Sequence, residues 1–150
     1  MEEKKEINEL DAQLRLADIM NDAPRKITLG GREFEITALK PGTQYLIAAE
    51  ATKIAKTGEA FADVIKQFAV NIPAVIRCIT LAILNDKDKI NGAEYQSMYD
   101  FIQWETKQVE WMGILVEILQ MLNLEVFFYT TEQIDLFRQM TTAKKTTVAL

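Results

Sequence analysis

KITLGGREFEI, residues 26–36, decides how the rest of the chain is read. Apolar and polar residues alternate up to Gly30-Gly31 and alternate again after it. Strict alternation marks a half-buried strand, and two glycines accept the positive φ that a tight hairpin turn demands. The loop length sets the register. Leu29 falls opposite Arg32 and Ile27 opposite Phe34, so Ile27, Leu29, Phe34 and Ile36 share one face. Lys26 and Glu35 meet on the other. A lone hairpin is marginal in water, so its apolar face must rest on something. Nearly all that follows has helical periodicity. The expected fold is therefore mainly α: a bundle of five to six helices with one N-terminal β-hairpin at about residues 25–38.

Before the hairpin, Ile7, Leu10, Leu14 and Ala17 form a thin helical stripe over residues 6–20, and Pro24 ends it. After the hairpin, Pro41 and Gly42 stop the strand, and Thr43 is placed to cap a helix running to about Lys56. Residues 59–70 predict a second amphipathic helix with Phe61, Val64, Ile65 and Phe68 turned inward. Pro73 suits the first turn of a new helix to about Leu84, apolar nearly all round and hence central. Residues 85–94 predict a loop, and a helix follows over 94–104. Residues 106–122 predict another apolar helix whose wet ridge is Glu110, Gly113, Glu117 and Gln120. Thr130 or Thr131 caps a last short helix to Met140, and TTAKKTTVAL is expected to be disordered. The expected organisation is an N-terminal arm at 1–24, a hairpin and helical bundle at 25–140, and a flexible tail at 141–150.

Composition argues against several activities. The chain has 150 residues and a formal charge of −5, from 17 Lys and Arg against 22 Asp and Glu. That balance opposes nucleic-acid binding, which needs cations to displace counterions, and opposes docking on anionic lipid. There is no histidine, so the commonest general base and metal ligand are missing. Cys78 is the single cysteine, which rules out an intrachain disulfide and fits a reducing compartment. MEEKKEINEL lacks the apolar run of a secretory signal, and IPAVIRCITLAIL, residues 72–84, carries Arg77 and is short for a membrane span. A cytoplasmic protein without a cofactor or membrane contact is expected.

The motifs are few. In DKDKINGAE, residues 86–94, Asp86 and Asp88 resemble the start of a calcium loop. The glycine and the bidentate glutamate that such a loop wants fall on Asn91 and Ser97, so a solvated turn is expected. Glu110 and Glu117 are the best-placed acid–base pair, and equally the wet edge of a buried helix. Cys78 lies in the most apolar helix with no base to activate it. Arg77 either reaches solvent at the domain edge or forms a salt bridge at a partner surface. Trp104 and Trp111, seven apart, read as core or as interface anchors. Met112 and Leu115 complete the candidate partner-binding set of Trp104, Trp111, Met112, Leu115 and Arg77. No catalytic, cofactor or metal residue is assigned, and no enzyme activity is expected.

The order of parts resembles a known family. A hairpin and its exit, ITLGGREFEITALKPGTQ at 27–44, lead into helices and a polar tail, as in the tail assembly chaperones of long-tailed bacteriophages and prophages. The resemblance is one of layout over about 26–140, with 27–44 its only sequence-level match. It implies a non-enzymatic chaperone that binds the helical tape-measure protein and helps recruit tail tube protein, with a homo-oligomer also compatible. The alternative is a structural or adaptor component of the particle, such as a tail or head-completion protein.

Overall fold

The computed structural model describes residues 8–13, 15, 23–55, 58–122 and 124–148. Residues 8–13 are helical, and most of the stripe expected over 6–20 lies outside the described residues. The chain divides into two compact units, Asn21–Leu122 and the pair of segments Met1–Met20 and Asn123–Leu150. The sequence reading grouped 25–140 together.

In the first unit, β1 (Arg25–Leu29) and β2 (Arg32–Ile36) pair antiparallel around Gly30-Gly31. The register is the expected one: Ile27 faces Phe34, Leu29 faces Arg32 and Lys26 faces Glu35. Ile27, Leu29 and Ile36 are buried, and Phe34 is half-buried with its ring 5.9 Å from that of Phe101. Five helical segments follow: α1 (Pro41–Ala51), α2 (Phe61–Leu84), α3 (Lys87–Ile90), α4 (Ala93–Glu105) and α5 (Gln108–Gln120).

The centre is the C-terminal half of α2, as its all-round apolar character predicts. Ala74 to Ala82 are buried apart from Arg77, and the helix packs on α1, β2, α4 and α5. Around it stand Ile47, Phe101, Ile102, Ile114 and Ile118. Helix α1 starts three residues earlier than expected, with Lys40 and not Thr43 in the cap position, and it ends at Ala51 short of Lys56. Pro41 needs no amide bond in a first turn, and Thr43 is buried inside the helix. Residues 59–70 and 73–84 are also one helix, with Pro73 inside it. Pro73 forgoes one backbone bond, and packing of the following turns outweighs that loss. By length and composition α2 is apolar enough to cross a membrane, and its C-terminal half is the core of this unit.

Asn85 caps α2 in the left-handed region, at φ 41°. It is buried, and its amide pins the exit of the hairpin. Its Oδ1 accepts from Lys40 N at 3.0 Å, and its Nδ2 donates to Thr37 Oγ1 at 3.1 Å and to Ala38 O at 2.8 Å. Residues expected as loop after it form α3, because Asp86 Oδ1 accepts from the amides of Asp88 and Lys89 at 2.9 and 3.1 Å.

Arg77 joins α2 to α1. Its Nε donates to Glu50 Oε2 at 2.7 Å, and Lys53 Nζ donates to the same carboxylate at 3.0 Å. Burial raises the Glu50 pKa, but the hydrogen bonds and charges of Arg77 and Lys53 outweigh it and hold the carboxyl below 4.5. A carboxyl depressed by folding contributes stability that is present above its unfolded pKa and lost as pH falls through the folded one. Unfolding free energy should therefore drop as the pH is lowered below 4.5. Urea titrations of Glu50→Gln should show that this part of the acid slope has gone.

In the second unit, α6 spans Leu124–Val148. The short helix expected to Met140 and the tail residues 141–148 are thus one longer helix, and 149–150 lie outside the described residues. No Pro or Gly interrupts 124–148. The hydroxyls of Thr141 and Thr142 bond back to carbonyls of the preceding turn instead of competing with it. Phe128, Ile134, Phe137 and Met140 are exposed on this helix.

Candidate functional site

Helices α4 and α5 are separate because Thr106 breaks them with extended backbone. Its hydroxyl donates to Ile102 O and accepts from Trp111 Nε1 at 2.7 Å. The break puts Trp104 and Trp111 on different helices. Trp111 is buried with its polar atom satisfied, whereas Trp104 is 78% exposed near the end of α4.

Helix α5 then lies beside α2 with Trp111, Ile114, Leu115 and Ile118 inward. Its outward face is apolar: Val109, Met112 and Val116 are all exposed. Of the expected wet ridge, Gly113 and Gln120 are exposed, while Glu110 and Glu117 are half-buried and the Glu110 carboxylate turns to the hairpin. Glu110 Oε1 accepts from Gly30 N at 3.1 Å and its Oε2 accepts from Lys107 N at 2.8 Å. The Glu117 carbonyl accepts from Arg25 Nη1 at 3.3 Å. With Glu110 turned to the hairpin, Val109, Met112 and Val116 make up much of the face in water.

The N-terminal half of α2 is bare in the same way. Phe61, Val64, Ile65 and Phe68, expected inward, are all exposed, with Phe61 at 81%. The sequence reading failed here because an amphipathic stripe specifies that something covers it, not that this chain does. Asn71 fixes the helix to the preceding loop. Its side chain accepts from Ala55 N at 3.1 Å, donates to Ala55 O at 2.8 Å and accepts from Gln67 at 2.8 Å.

Between these two helices runs an apolar groove of about 420 Å³. Ile54, Phe68, Ile72 and Val75 line one side, and Val109, Trp111, Met112 and Leu115 the other. The structure thus brings together Trp111, Met112 and Leu115 of the candidate set. Trp104 and Arg77 do not line the groove, and Arg77 is held by Glu50. Phe68, Ile72, Ile54 and Val109 were not singled out as a binding set. Their signal was spread over three segments that only folding assembles.

None of the residues that line the groove is ionisable. Cys78 is fully buried, with its Sγ 3.7 Å from Ile47 O, and burial pushes its thiol up to about 11. A thiol reagent such as DTNB should leave the native protein unlabelled and react fully in denaturant; labelling of native protein would contradict this burial. Among the described residues no three His, Cys, Asp or Glu side chains gather as a metal site. The arrangement can bury apolar side chains from another molecule. Comparisons with family models, with curated proteins and with solved structures find no match to this chain.

Proposed function

We propose that this chain is a non-enzymatic assembly chaperone of the kind found in long-tailed phages and prophages, binding the helical tape-measure protein. The observation that supports it is the apolar groove, with Val109 and Met112 exposed along its α5 side. A long helix with an apolar stripe needs cover until its final partner arrives, and a groove between two helices supplies such cover. The net charge of −5 fits this reading, because like charge opposes precipitation of a protein with bare apolar surface. Recruitment of tail tube protein belongs to the same proposal, and the work is done in the bacterial cytoplasm. The groove's physical chemistry is that of burial: no residue lining it is ionisable, and Glu110 on the same helix is committed to two backbone amides.

Co-expression tests the proposal. The tape-measure protein of the same genome should stay soluble with this chain and aggregate without it. Val109→Glu with Met112→Glu should abolish that protection, since both side chains are exposed and their replacement leaves the fold intact. A tape-measure protein equally soluble with the double variant would reject the groove as its site. Mass spectrometry of finished particles should find the chain absent; stoichiometric retention would instead make it a structural component.

A further inference from the structure

One heptad seam runs the length of α2. Phe61, Ile65, Phe68 and Ile72 step by four and three residues, and Val75 and Ile79 continue the same stripe. Exposure falls along it: 81%, 50% and 50% at Phe61, Ile65 and Phe68, against 9% and 0% at Val75 and Ile79. This unit covers the C-terminal half of the seam and leaves the N-terminal half bare. A seam of this pattern is built to be covered by another helix.

The flanks of the bare half decide what kind. Ala62 and Ala69 border it on one side, Val64 and Asn71 on the other. Asp63 and Lys66 fall on the opposite face of the helix. No charge borders the seam, so two identical chains, each at −5, meet there without local repulsion. The two alanines let helix axes approach closely.

We propose that this bare half is a self-association surface: two copies pair residues 61–72 of α2 antiparallel about a twofold axis. In that register Phe61 of one copy stands level with Ile72 of the other, and Ile65 with Phe68. Each phenylalanine meets an isoleucine, so large and smaller side chains alternate across the interface. A parallel pair would stack Phe on Phe and would need the half of the seam that is already covered. The layers and their flanks remove roughly 1,200 Å² from water over both copies, the lower edge of a stable interface. Phe68 and Ile72 also line the groove, so a second copy on the seam covers part of the wall that a bound helix would use. The pairing is read on the chain alone, so its failure is separable from a failure of the groove to hold a tape-measure helix.

Sedimentation of the full chain across micromolar concentrations should show a monomer–dimer equilibrium. Phe61→Glu, at an exposed position outside the groove lining, should weaken it at least tenfold with an unchanged circular dichroism spectrum. Mixed Ala62→Cys and Ala69→Cys chains should cross-link to each other in preference to like with like, with buried Cys78 taking no part. A monomer at every concentration would overturn the proposal, including one whose seam is covered by its own chain or by a different protein. So would a dimer indifferent to Phe61→Glu, or cross-links that favour identical positions.

Discussion

Asn85→Ala should lower stability by about 3–4 kcal/mol, from stranded hydrogen-bonding groups and a strained backbone. Asn85 donates or accepts three bonds that tie the hairpin exit to the end of α2, and it sits at φ 41°. Alanine fits that conformation poorly and leaves Lys40 N and Ala38 O to find water in a half-buried place. Two further variants separate the contributions. Asn85→Gly keeps the left-handed backbone and loses the bonds, so it should cost about 1 kcal/mol less than alanine. Asn85→Asp keeps the acceptor for Lys40 N but sets a carboxylate against Ala38 O, and should be as damaging as alanine. Urea denaturation with unchanged m-values reads all three. A loss under 1 kcal/mol in the alanine variant would show that the hairpin exit is held elsewhere.

Gly30→Ala is the second large effect, expected at about 3 kcal/mol from overpacking and positive φ combined. Gly30 has φ +54°, and an added Cβ would stand 2.8 Å from Glu105 O and 3.0 Å from the Phe101 ring. Its amide also donates to Glu110. The hairpin tip therefore has no room to move away without losing that bond. Gly31 is the control beside it: its φ is +76°, but a Cβ there meets nothing within 4 Å. Gly31→Ala should cost only the backbone strain, about 1 kcal/mol. Equal losses in the two variants would mean that the contact with Glu105 is not tight. The Arg32 guanidinium, 4.3 Å from the centre of the Phe101 ring, adds a second hold at the same place.

The hairpin was legible because its information is local. Period-two alternation and a two-glycine turn fix the register without reference to anything else. The central half of α2 was legible for a related reason, since a helix apolar all round has one place to go. Glu110 was misread because its partner amide is 80 residues away, at Gly30. The α5 helix presented two faces that could each have been wet, and only the position of the hairpin chose between them. Phe61, Ile65 and Phe68 were misread because hydrophobic pattern is silent about whose protein provides the cover. Trp111, Met112 and Leu115 came from the apolar run of one helix; the opposite wall, Ile54, Phe68 and Ile72, needed the tertiary fold to become visible.

Pro73 sits where α2 passes from its bare half to its covered half. A proline supplies no amide proton, so the carbonyl of residue 69 lacks its helical bond at that boundary. Unzipping that begins at Phe61 can run to this gap without disturbing the turns beyond it. The helix is thus two thermodynamic segments: 61–70, which opens locally at low cost, and 74–84, which opens only when the whole unit does. Amide exchange along this single helix should step sharply at Pro73, and whatever settles on the bare segment should slow exchange on one side of the step alone.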